Sequence, residues 1–332
     1  MHNTMRVALG QFNQISDERL RFAQQVGVGG VLLNTPALPG DQHWEYHHLV
    51  RLRTGIEEYG LRLEAIENTP IHFYLKAMLG LPGRDEQIEQ YQTTIRNMGK
   101  AGIPVLGYHW MPNSVWRTSA MTPGRGGARV TSFDLSLVSD APLTHERIYT
   151  EDEMWENYTY FMKAVLPIAE EAGVTLALHP DDPPVASLGG VARLFRNFAG
   201  FKRAMEIADS PNSGLDFCMG CWSEMGPGVL EAINYFGTRH KIVYVHFRDV
   251  QGVVPKFQEC FLGEGNVDVV EAMRAFKKSG FTGFMIDDHV PHMVDDTDWG
   301  HRGRALATGY MLALLDAMNK LDSSGSTPAV QT

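Results

Sequence analysis

One pattern constrains this chain more than any other: a short apolar strand, a polar turn and an amphipathic helix, repeated from end to end. Strand-length segments fall at 7–9, 30–33, 63–66, 105–108, 175–179, 214–218, 242–246 and 284–288. The stretches between them carry helical periodicity. Leu20, Ala23 and Val26 share a face behind Ser16-Asp-Glu, a helix start. A second helix spans 86–102, where Gly102 suits a left-handed cap, and a third spans 267–280, with late lysines and a glycine past its end. Eight strands alternating with about eight helices predict an α/β fold, a closed (β/α)8 TIM barrel, for which about 250 residues is typical. The chain has 332, so the excess belongs in loops. The largest surplus, 111–143 after the fourth strand, is rich in Gly, Pro, Ser and Thr and reads as a lid or binding loop. A doubly wound open sheet is the competing fold, weakened because Gly10-Gln-Phe-Asn-Gln stands where a glycine-rich phosphate turn would be. No linker or internal repeat divides the chain. The expectation is one catalytic domain over 1–322 and a disordered tail over 323–332.

Composition removes several classes of function. With 44% apolar and 20% charged residues the chain buries a core and is not a disordered or low-complexity protein. Its apolar runs, such as Val174-Thr-Leu-Ala-Leu, are strand-length, far short of the roughly eighteen residues of a membrane span. The net charge of −10 supplies no basic surface for nucleic acid. An acidic chain still accepts an anionic substrate where a local arginine or metal dominates a cleft. Three cysteines build no paired disulfide framework, and the first residues lack a signal-peptide pattern; both lead to the expectation of a cytoplasmic protein.

In a parallel barrel, function sits at the carboxyl ends of the strands. The late strands end at His179, Cys218, His246 and Asp288-His289. Alone, such a histidine is a wall residue, such a cysteine a core residue and such an aspartate a helix cap. Four consecutive strands ending in ligand types point instead to one divalent transition metal above the barrel. The set tolerates Mn²⁺ or Co²⁺ as well as Zn²⁺, and the thiolate by itself tilts toward zinc. Cys218-Met-Gly-Cys221 lacks a second pair, so Cys218 is taken as the ligand, Cys221 as wall and Cys260 as structural. The loop His179-Pro-Asp-Asp-Pro-Pro follows its strand directly. Asp181 and Asp182 there read equally as turn formers and as substrate contacts. Arg248 lies two residues beyond His246, on the same face of an extended strand, and could clamp a carboxylate. His289 is a natural proton carrier near neutral pH. Tyr310 lies on the final helical pattern, 305–318, and by pattern alone reads as core.

The strings His179-Pro-Asp-Asp-Pro-Pro, Asp216-Phe-Cys-Met-Gly, His246-Phe-Arg and Asp288-His occur in an order and spacing similar to the mannonate dehydratase family, within the xylose-isomerase-like barrel group. The stretch Tyr91-Gln-Thr-Thr-Ile-Arg-Asn-Met-Gly-Lys-Ala-Gly-Ile, with Trp110-Met-Pro and Trp116-Arg-Thr, extends the likeness, which covers about 60–318. The resemblance implies a divalent metal, Mn²⁺ first and Zn²⁺, Co²⁺ or Fe²⁺ as alternatives, on His179, Cys218, His246 and Asp288. It implies acid–base roles for His289 and Tyr310, and dehydration of D-mannonate to 2-keto-3-deoxy-D-gluconate. Arg248, Asp181, Arg117 and Arg193 are the candidates for holding this sugar acid. The sequence departs from the family pattern at Gly189-Gly-Val-Ala-Arg193, at Ile286-Asp287 and at Met219-Gly-Cys-Trp. An arginine lost beside the metal implies a different acid or a neutral sugar.

Two other functions share these features. A metal-dependent sugar isomerase or epimerase on the same barrel favours carboxylate and histidine ligands, against which Cys218 stands; formation of a ketose would reveal it. A non-catalytic metal- or sugar-binding barrel is expected to lose the acid–base pair, yet His289 and Tyr310 are both present. The expected partner is a small-molecule sugar acid, with no nucleic acid and no membrane. A symmetric homo-oligomer is the base-rate expectation.

Overall fold

A computed structural model describes residues 4–324. Its main sheet has nine strands, all parallel. Arg6–Val7 pairs with the last strand, Phe284–Ile286, and Leu9–Phe12 pairs with Gly30–Asn34. The sheet thus closes into a barrel through a first strand interrupted at Ala8. Around it run Arg62–Glu67, Val105–Tyr108, Thr175–Leu178, Ser213–Cys218 and Ile242–His246. The expected (β/α)8 barrel is the observed fold. The fifth and eighth strands end earlier than expected, at Leu178 and Ile286, while the second and third run one residue further, to Asn34 and Glu67. Among the described residues no helix is long and apolar enough to cross a membrane.

Local chemistry explains the helices. Ser16 caps Asp17–Gln25 by accepting from the Arg19 amide, and Asp268 caps Val269–Lys278. Thr150 and Glu153 form a reciprocal capping box at Glu151–Ala172, which Gly173 ends in the left-handed region. The second predicted helix runs Arg84–Lys100. The final helix, His301–Ser324, takes in Ser323 and Ser324; the rest of the predicted tail, 325–332, lies outside the described residues.

Two apolar layers follow. A large core lies between barrel and helices, where Phe276 packs edge-on against Phe217, near Phe247 and Phe281. Inside the barrel sits a smaller cluster that includes Ala8, Leu32, Ala65, Ala177, Tyr244 and Phe284. Small residues leave room there for Tyr244, whose ring stacks on Phe284 at 5.1 Å. Gly107 is part of this arrangement, because a Cβ there would lie 2.2 Å from the Tyr244 hydroxyl and 3.1 Å from Glu67 Cγ.

The surplus after the fourth strand is not the irregular lid that its composition predicts. Ser119–Pro123 and Arg129–Asp134 form a hairpin across a short turn at Arg125–Gly127. It pairs with a second hairpin, Val250–Val253 with Lys256–Glu259, which follows the seventh barrel strand. Phe133, Val250 and Phe257 form the buried face of this four-stranded sheet, with Val185 and Leu188 packed against them. The register Phe133↔Phe257 holds Arg117 and Glu259 over the barrel mouth.

Candidate functional site

Strand alternation places the site. Side chains two apart share a face, so the residue two beyond each of several interior residues reaches the mouth. Ala177 leads to His179, Ala65 to Glu67, Leu32 to Asn34 and Tyr244 to His246. Asp216 and Cys218 follow the same rule, and the register aligns Cys218 with His246.

His179, Cys218 and His246 converge: one ligand atom from each lies within 4.8 Å of the others, and all three are buried. The His179 Nδ1 donates to the Pro180 carbonyl at 2.7 Å, which leaves its Nε2 with a free lone pair. The fourth expected ligand, Asp288, is not within the same radius. Its Oδ2 accepts from Arg248 Nε at 2.8 Å and lies 3.5 Å from His246 Nδ1, while its buried Oδ1 has no hydrogen-bond partner. A second group, Glu67, Asp216 and His246, adjoins the first. Glu67 Oε2 is 2.8 Å from His246 Nε2, and both Asp216 oxygens are buried without a hydrogen-bond partner.

Charge explains the protonation pattern. Burial alone would lower the His179 imidazole, yet Asp216 and Cys218 hold it up at about 9. The His246 imidazole rises further, against its burial, through Asp216, Glu67 and Asp288. Burial opposes ionisation of Cys218, but the Cys221 thiol, Arg248 and the two imidazoles hold it well below an ordinary thiol. Burial pushes the Asp216 carboxyl up to about 8. Glu67, Asp182, Asp216, Glu224, Glu259, Asp288 and the Cys218 thiol thus crowd around the guanidiniums of Arg248, which is buried, and Arg117, which is partly buried. Such an excess of soft and hard anionic donors fits a divalent cation, which would take the place of protons on the cluster.

The predicted substrate contacts behave differently from one another. Arg248 is buried, held by Asp288, Glu224, Glu259, Asp182 and the Cys221 sulfur. The Gly220 position permits this, since a Cβ there would lie 2.2 Å from Arg248 Nη1. Arg193 is fully buried, bonded to Asp181, to Asn113 Oδ1 at 2.9 Å and to the Ser114 carbonyl at 2.8 Å. Asp181 accepts from the Phe195 amide at 2.6 Å, and burial raises its carboxyl. Arg193 and Asp181 therefore brace the loop after the fifth strand, and both are buried. Arg117 pairs with Asp182, with Glu259 at 2.9 Å, and approaches His289 Nδ1 at 3.2 Å.

His289 and Tyr310 are not brought together. His289 lines a small polar cavity with His179, Asp182, Asp288, Glu67 and Gln11. Its backbone φ is +41°, rare for a non-glycine residue and typical of functional positions. Its Nδ1 lies 3.0 Å from Glu259 Oε1, the nearer of its two partners, so it donates there and leaves Nε2 directed to Asp288 Oδ1, 3.6 Å away. Tyr310 lines a separate cavity of about 170 Å³ with Phe247, Phe261, Leu262 and Leu306. Only Asp288 borders both. The sequence reading missed Gln11, Asn34, Glu67, Asn68, Glu224 and Glu259. The two-residue parity from Ala65 and Leu32 would have found Glu67 and Asn34, had those strands been extended by one residue.

Comparison with known proteins gives a consistent result. The family profile described as D-mannonate dehydratase matches residues 5–148 and 143–324. Mannonate dehydratase 2 of Halalkalibacterium halodurans is 30% identical, over 95% of this chain and 100% of its own. The crystal structure of mannonate dehydratase from Streptococcus suis serotype 2 superposes with a TM-score of 0.86 at 29% identity, covering 99% of each chain. A xylose isomerase domain protein from Planctomyces limnophilus superposes at 0.63 with 14% identity, covering 97% of this chain and 99% of its own, a likeness of fold.

Proposed function

The chain belongs to the mannonate dehydratase family, and on that premise we propose that it removes water from D-mannonate, giving 2-keto-3-deoxy-D-gluconate. It is a hydro-lyase by family. The observation that carries the reading of the site is the buried His179–Cys218–His246 cluster beside His289. These three residues, with Asp288 turning its unpartnered Oδ1 to the same cavity, are the proposed holders of a divalent metal, manganese first. When bound, such an ion would polarise the substrate carboxylate and 2-hydroxyl and stabilise negative charge near C2.

The protein's own groups account for the proton movements. In the proposal His289 Nε2 takes the C2 proton, because its Nδ1–H is committed to Glu259. The C2–H electrons form the C2=C3 bond as the C3–O bond breaks. The 3-hydroxyl leaves as water after gaining a proton, and the enol then accepts a proton at C3 and releases its 2-hydroxyl proton to become the ketone. Glu259, itself held by Arg117, acts as the positioning residue that fixes the His289 ring. Arg248 ties Asp288, Asp182 and Glu259 into one frame. Tyr310 is the candidate for the second proton group that the family resemblance implies, and its place in a neighbouring cavity makes it the weaker of the pair.

The test is turnover of D-mannonate by metal-stripped protein before and after resupply of Mn²⁺, read as 2-keto-3-deoxy acid. Formation of that product only in the resupplied sample supports the proposal. A ketose product, or none with metal bound, sinks it.

A further inference from the structure

The polar cavity has a second wall that the proton chemistry does not use. At or beside the carboxyl ends of the first three barrel strands stand Gln11, Asn34 and Asn68, each lining the cavity beside Glu67. Asn34 Nδ2 donates to Glu67 Oε1 at 3.1 Å, and Gln11 Nε2 donates to the same oxygen at 3.2 Å. Asn68 Nδ2 donates to Asn34 Oδ1 at 3.3 Å. Asn68 Oδ1 is buried and has no hydrogen-bond partner. Asn68 also holds φ at +62°, a left-handed conformation that asparagine tolerates and most residues do not.

Among the described residues no lysine or arginine lines this cavity. Arg117, Arg193 and Arg248, which surround it, are each committed to carboxylates of the protein. A substrate carboxylate placed on the amide wall would face Glu67 and the lone pairs of Asn68 Oδ1. A hydroxyl both donates and accepts, which matches a carboxamide on both counts. Resting on the dehydratase reading above, we infer that Gln11, Asn34 and Asn68 form the subsite for the hydroxylated tail of the aldonic acid, beyond C3. The carboxylate then points away from this wall, toward the His179 side, and Asn68 Oδ1 accepts a hydrogen bond from a tail hydroxyl. The subsite sets a preference for long polyhydroxy acids over short ones.

The experiment compares kcat/KM for D-mannonate with that for the four-carbon acid of the same C2 and C3 configuration. The proteins are the unsubstituted manganese-loaded chain, Asn68→Gly, which keeps the left-handed backbone without the amide, and Gln11→Ala. In both variants the six-carbon acid is expected to lose about 10- to 100-fold, the size of a lost buried hydrogen bond to substrate. The four-carbon acid loses several-fold less, so the preference ratio falls. Equal losses on both acids, or no loss on either, overturn the subsite and leave the dehydratase reading standing. No turnover of either acid by the unsubstituted protein overturns both. Should Asn68→Gly fail to fold, Gln11→Ala alone decides, since its position carries no left-handed backbone.

Discussion

The two arcs of the barrel mouth are built from different chemistry. Strands five to eight deliver His179, Cys218, His246 and Asp288-His289, groups whose charge depends on protons or on a cation. The first three strands deliver Gln11, Asn34 and Asn68, neutral amides around the single acid Glu67. The late arc is over-supplied with negative charge and locked by Arg117 and Arg248. The unpartnered acceptor of the early arc, Asn68 Oδ1, belongs to a neutral amide. The contrast matches the proposed division of labour, in which one side moves protons and holds charge and the other grips hydroxyls.

The largest effect should come from removing a late-arc anion. Cys218→Ala is expected to strip the bound divalent metal and to lower kcat by about a thousandfold, checked by elemental analysis alongside turnover. Retained metal and rate would move the metal-binding role out of this cluster. Next comes Glu259→Gln, which leaves the chemistry in place and frees the His289 ring. It should cost about 10- to 100-fold in kcat with KM nearly unchanged, and Glu259→Asp should recover part of it. A loss confined to KM would put Glu259 on the gripping side.

Tyr310→Phe sharpens the boundary between the two cavities. A general acid contributes about 10²- to 10⁴-fold, and a tyrosine lining only the neighbouring cavity should cost less than about tenfold. A full-sized loss would bring Tyr310 into the reaction despite its position. The smallest effect lies at the opposite end of the barrel, away from both arcs. There Glu64 is clamped by Arg6 at 2.6 Å and Arg62 at 3.0 Å. Burial pushes the Glu64 carboxyl up, but the two guanidiniums outweigh it and hold it below the ordinary 4.5. A carboxyl depressed in the fold stabilises above its unfolded value and loses that contribution as pH falls. Glu64→Gln should therefore cost about 1–2 kcal/mol at pH 7, since both arginines are partly exposed. In denaturant titrations the gap from the unsubstituted protein should close below pH 4.5; a gap that stays constant would contradict the clamp.

The late arc was legible in the sequence because its residues are chemically conspicuous. A histidine or cysteine ending an apolar run stands out, and four in succession give the barrel mouth its direction. The early arc was not legible because amides ending a strand look like turn formers. The strands read at 7–9, 30–33 and 63–66 stopped short of Gln11, Asn34 and Glu67, which the structure includes in its sheet. The long loop was misread for a related reason: its Gly, Pro and Ser content matches a lid, but its strands pair with a hairpin more than 100 residues away, at Lys256–Glu259. Partners so distant leave no local pattern. The arginines stood out as residues, but sequence does not show that the fold pairs each of them with carboxylates of the protein.

The most direct test of the division is binding of D-mannonate to an inactive late-arc variant. His289→Asn, holding its metal, should bind the acid with a dissociation constant within a few-fold of that of the unsubstituted protein and turn it over at least about a hundredfold more slowly. Adding Asn68→Gly to that protein should then weaken binding about tenfold or more by calorimetry. If His289→Asn abolishes binding, or if the added Asn68→Gly leaves the affinity unchanged, the two arcs do not divide the work in this way.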